Sequence, residues 1–108
     1  MRKLVDNLIQ KTNAFDVNGA LSLFSSSAVV DDVSVGDAFR GIEGVRLYLD
    51  QFFVGYKTAT QLRVFEELDE FNAVARFDFT GDFGHETGVM KITINSSRLI
   101  ERIDADLE

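Results

Sequence analysis

AVVDDVSVGDAFRG, residues 28–41, is the stretch on which the reading of the fold turns. Its apolar run Ala28-Val29-Val30 ends on two adjacent carboxylates, Asp31 and Asp32, before the chain returns to Phe39, Arg40 and Gly41. Neighbouring residues of a strand point to opposite faces, so in a half-buried strand one of the two acids must face away from water. Alternation makes Asp31 the solvent-side twin. Two readings stay open for Asp32. It is either a proton-transfer group among apolar side chains, where desolvation makes a carboxylate a better base, or a solvated strand end that caps the following turn.

Outward from this stretch the apolar periods divide the chain in two. Leu4, Val5, Leu8 and Ile9 recur at helical spacing and predict an amphipathic helix over the first dozen residues. Asp16 is placed to cap a short second helix with Ala20, Leu21 and Phe24 on one face. Ser25-Ser26-Ser27 breaks that pattern; 29–33 reads as a short strand and 35–38 as a loop around Gly36. From Ile42, the residues Val45, Leu49, Phe52, Phe53 and Tyr56 follow a 3.6-residue period and predict a third helix. Beyond it the period is two, in runs separated by Asn72, Gly84 and Ser96-Ser97. Three N-terminal helices followed by a strand meander is an α+β plan, with helices packed on one face of a curved antiparallel sheet. The length suits a single domain, 1–108.

Composition narrows the function classes. A net charge of -7 argues against nucleic acid or an anionic membrane as partner, since both select basic surfaces. The absence of cysteine excludes disulfides and thiolate zinc sites, and the one histidine, His85, excludes a multi-histidine metal site within the chain. MRKLVDNLIQ has no apolar core of the secretory kind, so the expected compartment is the cytoplasm. Ten phenylalanines against two tyrosines and no tryptophan suit a dense core or a greasy pocket.

The order of these features resembles the nuclear transport factor 2-like superfamily, nearest to its SnoaL-like polyketide cyclases and ketosteroid isomerases. The likeness rests on FDVNGALSLF, on AVVDD, on the Gly-headed third helix and on the four strands that follow. It implies a cone-shaped, cystatin-like roll with an apolar pocket at its open end, frequently dimeric through the outer sheet face. It also places Asp32 on the general base of the isomerases and Asp31 on its acidic neighbour. The two oxyanion donors of those enzymes fall on Leu8 and Met90, neither of which can donate a hydrogen bond. No cofactor or metal is implied.

Within such a pocket further residues become candidates. If Met90, Ile92 and Ile94 face inward, period two brings Gly88 and Glu86 to the same side, and Glu86 is then either a second carboxylate facing Asp32 or a wet strand end. The same period turns His85 outward, beside the turn at Gly84, although related cyclases pair a histidine with an aspartate. Tyr48 and Tyr56 are the available phenols. Tyr56 extends the stripe of the third helix, and its hydroxyl could replace a missing oxyanion donor. Phe15, Phe52, Phe53, Phe77, Phe79 and Met90 are the expected pocket wall, with Phe83 a further aromatic candidate. Arg63, Arg76, Asp78, Lys91, Arg102 and Asp104 form an alternating-sign outer face, where a homodimer is expected. The functional expectation is an isomerase or cyclase acting on an apolar carbonyl compound with Asp32 as base. The competing expectations are a non-catalytic ligand-binding or dimerisation module, and a scaffold whose pocket is filled by phenylalanine.

Overall fold

Amphipathic spacing and capping set the N-terminal half in the computed structural model, which describes all residues from Met1 to Glu108. Helix α1 (Arg2–Asn13) turns Val5, Leu8 and Thr12 inward. The chain then passes through Phe15, in left-handed backbone at φ 57°, into α2 (Val17–Leu21). The Asp16 side chain accepts a 2.9 Å hydrogen bond from the Gly19 N–H. A cap of this kind contributes about 1 kcal/mol by satisfying an amide that has no partner inside the helix.

Strand β1 (Phe24–Asp32) is longer than 29–33 because the serine run continues the strand instead of breaking it. Ser26 and Ser27 are exposed at an irregularity in the pairing, between the ladder contacts of Phe24 and Val29. The expected loop at 35–38 is half borne out: residues 33–36 form a turn that includes Gly36, while 37–38 belong to β2 (Asp37–Arg40), which pairs back antiparallel on β1 with Asp32 opposite Asp37. Gly41, at φ 71°, makes the left-handed step from β2 into α3 (Gly41–Leu49). That helix continues into a wider π-helical turn, Asp50–Val54.

The remaining strands are β3 (Ala59–Glu67), β4 (Asn72–Gly81), β5 (Gly84–Ile94) and β6 (Ile100–Leu107). The six-stranded sheet runs β2-β1-β6-β5-β4-β3. Its β3 to β6 meander and the β1–β2 hairpin are antiparallel, but β1 lies parallel to β6. The sheet is therefore mixed and not wholly antiparallel: β1 joins the last strand only after the chain has crossed over through β2 and α3.

One face of the sheet carries the core. Ala28 and Val30 of β1, Ala73, Ala75 and Phe77 of β4, Ile92 and Ile94 of β5, and Ile100 and Ile103 of β6 are all buried. Burying a Val or Ile side chain of this kind contributes about 1.5–3 kcal/mol. The opposite face carries ion pairs: Arg63 with Asp78 at 3.0 Å, Arg102 with Asp31 at 3.1 Å and Asp104 at 3.0 Å, and Arg76 with Glu108. Exposed pairs of this type contribute little each. No helix is long and apolar enough to cross a membrane.

Candidate functional site

Alternation along β1 buries Ala28, Val30 and Asp32 in turn, so the run of apolar inward positions ends on a carboxylate. Asp32 is 7% exposed, whereas Asp31 faces out and accepts from Arg102 Nη2 at 3.1 Å. Three donors hold Asp32. The Tyr48 hydroxyl donates to Oδ2 at 2.7 Å; the Ser34 N–H and Ser34 Oγ–H donate to Oδ1 at 3.0 and 2.5 Å. The Ser34 contacts form the turn cap expected of an aspartate at a strand end. Of the roughly four lone-pair positions of a carboxylate, these donors fill three, and the one left free is on Oδ2.

Tyr48 is clamped between Phe39 and Phe52, with ring centroids 5.1 and 5.3 Å away. Its pKa is raised well above that of free tyrosine, first by burial and then by the negative charge of Asp32 and the hydrogen bond to it. The phenol therefore stays protonated as a standing donor to Asp32.

Asp32 and Tyr48 border a cavity of about 310 Å³, lined by 16 residues of which 11 are hydrophobic. Phe52 and Phe53 enter it together from the π-helical turn, which the Thr58 hydroxyl closes by donating to the Phe52 carbonyl at 2.7 Å. Met90 and Glu86 come from β5, Phe79 from β4, and Tyr56 and Phe83 form part of the mouth with rings 5.9 Å apart. Gly88 makes room for this wall. A Cβ there would stand 2.7 Å from Phe79 Cε2 and 3.1 Å from the Asp106 carbonyl oxygen.

The cavity thus gathers Asp32, Glu86, Tyr56, Phe52, Phe53, Phe79 and Met90 among the residues expected from the sequence. It excludes three others. His85 projects from the far face, its side chain 58% exposed and 3.5 Å from Asp78, because strand alternation turns it opposite to Glu86. Phe15 is 44% exposed at the α1–α2 junction, bordering only a separate small recess. Phe77 is buried deeper along β4 and borders an inner void of about 30 Å³ behind Met90, Phe53 and Phe79. Leu8 borders that same inner void. Tyr48, Ser34 and Phe83 border the cavity as well. Tyr48 stands four residues before Phe52, a helical repeat that marks it in the sequence; Ser34 has the i+2 spacing of an aspartate turn.

No protein-family model matches the chain, and no curated protein matches it. Solved structures do. An epoxide hydrolase/cyclase-like enzyme, SalBIII, with a role in pyran ring formation in polyether salinomycin, superposes with a TM-score of 0.85 at 16% identity, covering 99% of this chain and 89% of that one. A putative polyketide cyclase from Sinorhizobium meliloti gives 0.84 at 17% identity, with 95% and 93% covered. A Mycobacterium tuberculosis protein in complex with estradiol-17beta-hemisuccinate gives 0.82 at 16% identity, with 94% and 88% covered. Proteins described as NTF2-like and as cystatin-like in fold match at 0.83 and 0.85. The chain therefore has the α+β fold of the nuclear transport factor 2-like and polyketide cyclase structures.

Proposed function

We propose that this chain is a pocket protein in which Asp32 takes a proton from carbon on a small apolar carbonyl compound, using side chains alone. One observation carries the reading: Asp32 is a buried carboxylate, fixed by three hydrogen bonds, with one Oδ2 lone pair left beside an apolar cavity. A fixed, desolvated carboxylate suits abstraction of a weakly acidic C–H. The charge that develops on the carbonyl oxygen needs a donor. Among the cavity hydroxyls, those of Tyr48, Ser34 and Thr58 already donate within the chain, which leaves Tyr56 for that role. The steroid conjugate in the Mycobacterium tuberculosis structure and the cyclases among the structural relatives support an apolar substrate.

Glu86 does not enter this proton transfer. It lies four residues from Met90 along β5, and Met90 lies two strands from Asp32, so the Cα separation is on the order of 16 Å. Replacing Asp32 with Asn should abolish turnover while preserving the fold. Unchanged turnover would remove Asp32 as the base.

A non-catalytic ligand-binding module is the second reading. Leu8 is 8% exposed in the core and Met90 forms cavity wall, and neither can donate to an oxyanion. It predicts that an apolar ligand stabilises wild type and Asp32→Asn equally. A homodimer through the outer sheet face belongs to either reading. Val64, Val74 and Val89 lie in register with the charged residues of that face, which supports a mixed apolar and polar contact. Sedimentation analysis tests it.

A further inference from the structure

Among the 16 residues that line the cavity, Asp32, Glu86 and Asp106 are acidic and none is Lys, Arg or His. Asp106 pairs with Val89, on the sheet face opposite Met90 and Ala105, and its Oδ1 accepts from the Leu107 N–H at 2.8 Å. The charged side chains on the cavity face are therefore Asp32 and Glu86. Asp32 accepts hydrogen bonds from Tyr48 and Ser34. Glu86 is half-buried and has neither a hydrogen-bond donor nor an ion-pair partner in the chain. It pairs across the ladder with Phe79 and shares the cavity with Tyr56 and Phe83, whose rings meet at 88°.

An unpartnered carboxylate beside aromatic rings recognises a cation, through charge and through the negative ring faces. An anionic ligand would instead be desolvated against two carboxylates with no cation to compensate it. We infer that the ligand carries a protonated amine on an apolar ring body, the amine held between Glu86 and the rings of Tyr56 and Phe83, and the body reaching in towards Asp32. This rests on the cavity being the ligand site, as proposed above, and not on Asp32 acting as a base.

Three probes of matched shape test it at pH 7: 1-naphthylmethylamine, 1-naphthalenemethanol and 1-naphthoic acid, each titrated by calorimetry. The amine should bind about tenfold tighter than the alcohol, and the acid more weakly than either. Glu86→Gln should bring the amine to within about threefold of the alcohol, while Glu43→Gln, the same charge change at an exposed residue of α3 outside the cavity, keeps the amine's advantage. An acid that binds as well as the amine would overturn the inference, as would an amine advantage that survives Glu86→Gln or disappears in Glu43→Gln. In each of those results the alcohol still binds and the ligand-site reading stands. If none of the three probes binds and a steroid ketone gives no stabilisation, the ligand-site reading fails and the inference fails with it.

Discussion

The Tyr48 hydroxyl of α3 stands 2.7 Å from Oδ2 of Asp32, the last residue of β1. This contact ties the helix layer to the sheet at the cavity, and it assigns the two carboxylate oxygens different tasks. Oδ1 holds the turn through Ser34; Oδ2 takes a hydrogen bond from Tyr48 alone. Removing the phenol in Tyr48→Phe leaves a buried carboxylate oxygen without its donor. The expected loss is about 1–3 kcal/mol of stability, measured by urea unfolding. A double-mutant cycle with Asp32→Asn should show coupling between the two sites of at least about 0.5 kcal/mol.

Alkaline pH acts on the same contact. The folded protein holds the Tyr48 proton to a higher pH than the unfolded chain, whose tyrosine has the ordinary value of 10.0. Above that value the unfolded state binds fewer protons, so stability falls as pH rises, until Tyr48 ionises in the folded state as well. The slope contributed by one such group approaches about 1.4 kcal/mol per pH unit. Unfolding free energies between pH 9 and 11 should decline more steeply in wild type than in Tyr48→Phe, because only wild type carries this linkage.

Gly88→Ala tests the cavity wall. Its Cβ would meet the Phe79 ring at 2.7 Å and the Asp106 carbonyl oxygen at 3.1 Å. Phe79 must then swing into the cavity or β6 must shift. The expected cost is about 1–3 kcal/mol. Affinity for the naphthyl probes should fall, because Phe79 is wall on the probe side.

Met90 borders both the main cavity and the inner void, as Tyr48, Phe53 and Phe79 do. Met90→Ala should join the two spaces at a cost of about 2–5 kcal/mol. The merged cavity should shift ligand preference towards longer apolar ketones, measured as thermal stabilisation across a series of increasing chain length.

Strand alternation in AVVDD was enough to separate a solvent-facing Asp31 from a buried Asp32, because period two is a local property of the backbone. The same arithmetic put Glu86 with Met90 and turned His85 away. Phe15 and Phe77 were not separable from Phe52 and Phe79 in this way. An aromatic residue reads alike wherever it packs, and one strand repeat, about 6.6 Å, separates Phe77 in the inner void from Phe79 at the main cavity. Parallel pairing of β1 with β6 left no local trace, since it joins residues some seventy positions apart. Tyr48 left a trace in its spacing to Phe52. What the spacing does not contain is the end of β1 lying beneath that turn of helix.

The most direct test of Asp32 as the base is wash-in of solvent deuterium at the α-carbons of 2-tetralone and of a steroid 3-ketone, followed by proton NMR for wild type and Asp32→Asn. Asp32→Asn must first be shown to keep the fold and to bind the same ketone. The account predicts exchange accelerated by wild type above buffer, and lowered in Asp32→Asn by at least about 10². Exchange at the same enhanced rate in both proteins would contradict it.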